Sequence, residues 1–300
     1  MPEDLSDSEP IAPEPVGFTG DEANATEDGV SALGWVVPTM RVGFAGRAAV
    51  YLLVGGLAVA AAVEGGSAEG TSGALERLGD MWWGQFVLAL IALGLAAYSV
   101  WRLLDGALDL DNRGTDAKGL ATRAGMIASG AIHAFLAGTA ISLAMGGSDS
   151  GSGQGGAEGF AASLMEQSGG RWLVGIAGVV TIGAGLYQFV KAYKQEYLRH
   201  LRSTRTTDRL DGVMRVGVVA HGVVIAFIGA FLAWAAWTYD PSKAGGLGQA
   251  FDTLRDAPFG QVLIGVMAVG LLGFAVYCAV NAGYRVVHSV AGEVKTLADR

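Results

Sequence analysis

Three arginines at equivalent positions along the chain could together bind an anion. Arg41, Arg123 and Arg215 each open a segment whose third residue is glycine. If the three segments pack side by side, their guanidinium groups lie at one height, where charge-assisted hydrogen bonds could hold a phosphate headgroup or an anionic substrate. The alternative is that each arginine only anchors the end of its segment at a membrane interface. The three residues are candidate headgroup or anion contacts.

A second set of polar residues lies six places further along each segment. It consists of Arg47, Ser129 and His221. In a helix this offset corresponds to about 9 Å along the axis. A polar residue in all three positions predicts a side chain that faces protein or water and not lipid. These residues are the candidate polar interior.

Two histidines could together bind a haem, but we do not favour this interpretation. His133 and His221 could be axial ligands of a b-type haem between helices. They stand at different offsets from the repeated arginines, ten and six residues, so the repeat does not support a shared site. Membrane histidines also hydrogen-bond between helices. Cys278 is the only cysteine, which excludes an internal disulfide. We predict no cofactor and no metal site.

The composition indicates what kind of scaffold positions these residues. Of the 300 residues, 51% are hydrophobic and 16% are charged, against about 25% charged in a soluble domain. This excludes a disordered chain and a basic nucleic-acid binder, and it indicates a membrane protein. Six stretches have the roughly 20 apolar residues that a membrane-spanning helix needs; they are residues 42–64, 83–104, 124–146, 172–192, 216–238 and 259–284. The predicted fold is an all-α integral membrane protein.

The six stretches form three tandem helical hairpins. The segments RVGFAGRAAVYLLVGG, RAGMIASGAIHAFLAG and RVGVVAHGVVIAFIGA begin alike, and Gly84, Gly170 and Gly260 align at the start of the second helix of each unit. Each unit is thus a helix, a glycine-rich loop with a short amphipathic piece, and a second helix. Three hairpins of one orientation can surround a pseudo-threefold axis along the membrane normal. They could also pack in a row.

These motifs resemble a known family. The repeated hairpin, with R-x-G at the start of each unit and a leucine-rich turn before Pro258, Phe259 and Gly260, is similar to the bacterial membrane family called domain of unknown function 1206. The resemblance covers roughly residues 41–285. It implies a bacterial inner-membrane protein with six helices in three units, and it implies no activity.

The flanking segments complete the predicted organisation. Residues 1–40 contain nine acidic residues and no lysine or arginine, and they predict a disordered acidic tail. The units follow at 41–110, 123–195 and 215–285, with a basic linker at 196–214 that should extend the fourth helix, and a short tail at 286–300. Of the 20 basic residues, 16 fall on the side of the two termini. The positive-inside rule therefore predicts cytoplasmic termini.

The sequence favours a binding role over catalysis. It has no motif of a zinc peptidase, a serine hydrolase or a P-loop nucleotide-binding protein. Asp105, Lys191 and Asn281 share one repeat position but differ in charge, which argues against a symmetric ion site. We expect a non-enzymatic structural or interaction module that binds the lipid bilayer, anionic headgroups or a membrane-protein partner. The alternative is a transporter or channel with a path along the pseudo-threefold axis.

Overall fold

The computed structural model describes residues 34–147 and 157–287, and these residues are almost entirely helical. The helices are α1 (Val36–Glu64), α2 (Thr71–Gly79), α3 (Gly84–Leu108), α4 (Ala117–Ala144), α5 (Ala157–Met165), α6 (Gly170–Tyr193), α7 (Arg205–Thr238), α8 (Leu247–Arg255) and α9 (Gly260–Tyr284). Two short 3-10 helices cover Glu196–His200 and Pro241–Lys243. In this part of the chain, α1, α3, α4, α6, α7 and α9 are long and apolar enough to cross a membrane. The predicted all-α multi-pass fold is confirmed.

Several helices begin earlier than their apolar stretches. Residues 36–40, assigned to the acidic tail from sequence, belong to α1. The prediction that the basic linker extends the fourth helix is wrong. Helix α6 ends at Tyr193, Gln195 takes a positive φ of 53°, and the chain from Arg205 onward belongs to α7. Residues 1–33 of the predicted acidic tail, part of the loop between α4 and α5, and the C-terminal tail from residue 288 lie outside the described residues.

The six long helices follow one another in an arc. α1 packs on α3, α3 on α4, α6 on α7 and α7 on α9, and α9 returns to pack on α1. Among the described residues, no comparable packing joins α4 to α6. The row is curved toward a common interior: His133 of α4 packs on Tyr98, His221 of α7 stacks on Phe274, and Arg47 of α1 contacts both Tyr98 and Phe274. The first and third repeats therefore form packed hairpins, whereas the two helices of the middle repeat each pack on a neighbouring repeat. We call the gap between them the α4–α6 opening.

Equivalent glycines show how the middle repeat differs. A Cβ atom on Gly217 would lie 2.3 Å from the backbone carbon of Gly273, so α7 and α9 touch through these two glycines. Small residues allow this close approach of membrane helices. The equivalent residues of the middle repeat, Gly125 and Gly183, have no heavy atom within 4 Å of such a Cβ. The α4–α6 opening therefore lies where the other repeats have their closest helix contact.

The side chains around this contact explain the difference. In the first repeat the partner helix contributes Tyr98, and in the third repeat it contributes Phe274, and both are buried. The middle repeat has Ala184 at this position, and Ser129 stands where the other repeats have Arg47 and His221. Ser129 and Ala184 are too short to fill the space that the larger side chains at these positions fill in the other repeats.

Three short amphipathic helices cover one end of the bundle. Helices α2, α5 and α8 each bury an apolar residue at the same repeat position; these residues are Leu75, Ala161 and Phe251, respectively. The glycine that opens the following long helix lies against the end of the short one. A Cβ atom on Gly84 or Gly170 would lie 1.6 Å from a leucine carbonyl oxygen. We call this end the far end. The other end, where the described residues begin and end and where most of the described basic residues lie, is the basic end.

Candidate functional site

Arg47 lies inside the helix arc in an aromatic environment. The residue is 5% exposed, and its Nη1 donates a hydrogen bond of 2.6 Å to the hydroxyl of Tyr98. Its guanidinium carbon lies 4.5 Å from the ring centroid of Tyr98, 5.2 Å from that of Phe274 and 5.4 Å from that of Tyr51. Within the described chain its Nε has no hydrogen-bond partner, and no carboxylate lies within 4 Å of the guanidinium. Ring faces, and not a counter-ion, stabilise this cation.

A second guanidinium group binds the same hydroxyl. Arg102, one turn further along α3, donates from Nε to the hydroxyl of Tyr98 at 2.7 Å. The carboxylate nearest to Arg102 among the described residues belongs to Asp105, at 4.0 Å. Asp105 is bound more closely by Arg113, at 3.1 Å. Two cations thus converge on one neutral oxygen, and the local charge is positive.

His221 connects three helices on the other side of Arg47. Its Nε2 lies 3.0 Å from the hydroxyl of Tyr51, and its Nδ1 lies 3.4 Å from the side-chain nitrogen of Gln188. Because an amide nitrogen can only donate, Nδ1 accepts and Nε2 donates to Tyr51. The imidazole also stacks on Phe274, with centroids 3.9 Å apart and planes 6° apart. Haem ligation by His221 would break one of these hydrogen bonds.

Ser129 and His133 lie on the α4 side of the site. His133 donates from Nδ1 to the carbonyl oxygen of Ser129 at 2.7 Å, and its ring centroid lies 4.5 Å from that of Tyr98. Of the three candidate interior residues, the structure brings Arg47 and His221 onto the shared rings of Tyr51 and Phe274. It places the third, Ser129, next to His133 on the opposite wall.

The repeated arginines occupy two different environments. Arg123 donates from Nε and Nη2 to the carbonyl oxygens of Gly106 and Ala107, the last turn of α3. Arg215 does the same for Ala192 and Tyr193 at the end of α6. The last carbonyls of a helix lack partners within it and attract cations. Arg41 is exposed, and the described residues offer it no equivalent bond. Headgroup binding by these three residues stays a prediction.

A buried charge network at the basic end has no counterpart in the sequence reasoning. Asp111 accepts hydrogen bonds from Arg285 at 2.6 Å and from Arg113 at 2.7 Å, and His200 lies 3.7 Å away. Burial by itself raises the pKa of Asp111, but Arg285 and His200 outweigh that effect and hold the pKa below its ordinary value. The side chains of Asp111 and Asp105 are both fully buried. This network ties the α3–α4 connection to the end of α9.

The only sequence signal for this network is an unfavourable placement. Asp105 lies in the last turn of α3, and Asp109 and Asp111 follow it directly. Carboxylates are disfavoured at the C-terminal end of a helix because of the helix dipole. Such a run therefore requires basic partners. The sequence does not identify Arg285 as one of them, because 174 residues separate it from Asp111.

The comparisons with known proteins agree with this architecture. The family model described as Domain of Unknown Function (DUF1206) matches three segments, residues 42–109, 124–195 and 216–285. The chain belongs to this family. The DUF1206 resemblance inferred from the repeated motifs is thus confirmed. A curated relative, "Uncharacterized protein YxxB" of Bacillus subtilis (strain 168), is 28% identical over 255 residues, which cover 84% of this chain and 92% of the relative. No solved structure matches the chain.

Proposed function

We propose that this DUF1206 protein is a non-enzymatic membrane protein that binds a membrane lipid in the α4–α6 opening. It would lie in a bacterial inner membrane with the basic end toward the cytoplasm. The observation that carries the proposal is the contrast between equivalent glycine pairs. Gly217 and Gly273 are in contact, whereas a Cβ atom on Gly125 or Gly183 would meet no heavy atom of another helix within 4 Å.

The opening has the two properties that a lipid site needs. At Gly125 on α4 and at Gly183 and Ala184 on α6 the walls carry no bulky side chain, which leaves room for an acyl chain between them. Arg47 lies buried inside the arc behind these walls. An amphiphile can satisfy both environments at once, with its chain between the helices and its head inside the arc.

A conducting path along the axis is the alternative, and one observation weighs against it. The ring of Tyr51 lies 4.8 Å from that of Phe274, and Phe274 stacks on His221. These rings fill the part of the interior that lies between α1, α7 and α9, which narrows the space left for a path along the axis. We therefore favour lipid binding over conduction.

Lipid retention in purified protein tests the proposal. Protein is extracted in a mild detergent, exchanged extensively into lipid-free micelles, and the lipid that remains per chain is quantified by mass spectrometry. We expect wild-type protein to retain lipid and the double variant Gly125→Leu, Gly183→Leu to lose it, because the leucine side chains fill the opening. Gly56→Leu is the matched control, since Gly56 is exposed on α1 with nothing within 4 Å. Equal retention in the filled variant and the control would refute the proposal.

A further inference from the structure

The charges inside the arc do not balance among the described residues. Four guanidinium groups, those of Arg47, Arg102, Arg113 and Arg285, lie in one connected set of contacts with two carboxylates. Arg113 and Arg285 are bound to these carboxylates at 3.1 Å or less. Arg47 and Arg102 instead share the neutral hydroxyl of Tyr98 as a hydrogen-bond acceptor. The excess positive charge is therefore localised at Arg47 and Arg102.

An unpaired cation at this depth is costly. Charged side chains within membrane-spanning helices are rare and almost always find a partner inside the bundle. Removing a charge from water without a counter-ion is unfavourable even where aromatic rings surround it. The Nε of Arg47 in addition has no acceptor in the described chain. An anion with several acceptor oxygens would supply both the missing charge and the missing acceptor.

The two cations stand behind the α4–α6 opening. On the α4 side, His133 packs on Tyr98, the residue that both guanidinium groups bind. On the α6 side, Gln188 contacts His221, which shares the rings of Tyr51 and Phe274 with Arg47. Arg47 therefore lies between the two walls. Arg47 is 5% exposed and the side chain of Arg102 is 21% exposed, so a group that enters through the opening contacts Arg47 only after the side chains around it move.

A third cation lies on the α6 wall. Lys191 is half-buried, about one turn beyond Gln188 toward the basic end, and its ammonium lies 5.9 Å from the ring centroid of Tyr277. It occupies the repeat position that Asp105 and Asn281 have in the other two units. The opening therefore leads to cations from α1, α3 and α6, and no carboxylate belongs to α4 or α6 themselves; Glu196, which follows α6, accepts a hydrogen bond from Tyr187 at 2.7 Å. This distribution favours a ligand with net negative charge.

We infer that the lipid bound in the α4–α6 opening is anionic, and that its phosphate binds Arg47 and Arg102 where they meet at Tyr98. The inference rests on the proposed function and names the class of its ligand. A phosphodiester offers acceptor oxygens to a guanidinium fork. A headgroup with an added amine, such as choline, would bring a further cation to a site that already has an excess. A phosphatidylglycerol-type lipid is the occupant that the charges select.

Native mass spectrometry of the detergent-solubilised full chain tests the inference. The protein is titrated with phosphatidylglycerol or phosphatidylcholine of the same acyl chains. We expect wild-type protein to prefer phosphatidylglycerol, and R47Q and R102Q to bind it at least about tenfold more weakly, as expected for the loss of a charge-assisted hydrogen bond. The control R199Q removes an exposed arginine at the basic end and should bind like wild type. Tryptophan fluorescence during heating checks that each variant is folded. Y98F removes the hydroxyl that both guanidinium groups bind and leaves the charges unchanged, so it tests the same site.

The outcomes separate the two proposals. Equal binding of both lipids by wild-type protein would overturn the inference and leave lipid binding intact. Failure to bind either lipid would remove the proposed function itself. If inorganic phosphate raises the unfolding temperature as much as phosphatidylglycerol does, the ligand is a free anion, and the lipid assignment is overturned. A loss in R41Q without a loss in R47Q would transfer headgroup binding to the exposed arginine and also overturn it.

Discussion

The glycine that opens each repeat should tolerate substitution in the middle repeat and not in the third. In Gly217→Ala the new Cβ would lie 2.3 Å from two backbone atoms of α9, the carbonyl carbon of Gly273 and the nitrogen of Phe274. Backbone atoms cannot rotate away, so α7 and α9 must separate. Overpacking of this kind costs about 1–3 kcal/mol, and we expect the upper part of that range.

Gly125→Ala makes the same chemical change at the same motif position, but in open surroundings. No heavy atom lies within 4 Å of the new Cβ. Alanine in the middle of a helix is favoured over glycine by about 0.5–1 kcal/mol in water, so the variant should be neutral or slightly stabilised. The two variants should therefore differ by about 2 kcal/mol or more.

Thermal unfolding in detergent micelles, followed by tryptophan fluorescence at one fixed scan rate, measures the difference. In a chain of this size 1 kcal/mol corresponds to roughly 2–4 °C in Tm. Gly217→Ala should therefore unfold several degrees below Gly125→Ala. A similar loss in both variants would show that α4 packs on α6 as α7 packs on α9, and the α4–α6 opening would then not exist.

Three further predictions concern the charges. Asp111→Asn should lower the free energy of unfolding by about 3–5 kcal/mol, because it leaves Arg285 buried without its carboxylate; a loss below about 1 kcal/mol in denaturant titration would contradict this. The pKa of Asp111 in the folded protein lies below its ordinary value of about 3.9. The ionised carboxylate therefore contributes its full stabilisation above about pH 3.9, and this stabilisation is lost as the pH falls through the folded-state pKa. Wild-type Tm should thus decrease more steeply than that of Asp111→Asn below about pH 4, and parallel pH profiles would count against it. Arg215→Gln should lower the free energy of unfolding by about 1–2 kcal/mol, because it removes two hydrogen bonds to the end of α6. Arg41→Gln should change it by less than about 0.5 kcal/mol, because Arg41 is exposed. Equal losses in the two variants would contradict the different environments of these arginines.

The sequence predicts the helices well because their apolar stretches repeat. Helix starts were less accurate, since hydropathy detects only the apolar part of a helix. α4 and α7 begin with charged turns, and the side chains of Asp116 and Thr204 cap their first backbone N–H groups. These capping residues mark the true starts more closely than the hydropathy does.

The α4–α6 opening is harder to predict because the R-x-G motif is the same in all three repeats. The difference lies in the partner helix, where Ala184 replaces the aromatic residue of the other repeats. The alanine is visible in the sequence. It predicts an opening only if one already knows that Tyr98 and Phe274 fill the contact between the two helices of the other repeats. Asp105 is fully buried and bound by Arg113 at 3.1 Å, with Arg102 at 4.0 Å, and the repeat pattern predicts neither this burial nor the contact with Arg113.

A density map of the protein in nanodiscs that contain phosphatidylglycerol would show whether a lipid reaches Arg47 through the α4–α6 opening. We predict elongated density between α4 and α6 that ends within hydrogen-bonding distance of Arg47 and Arg102. A map in which Gly125 lies against Gly183, as Gly217 lies against Gly273, with no density at Arg47, would show that no lipid binds there.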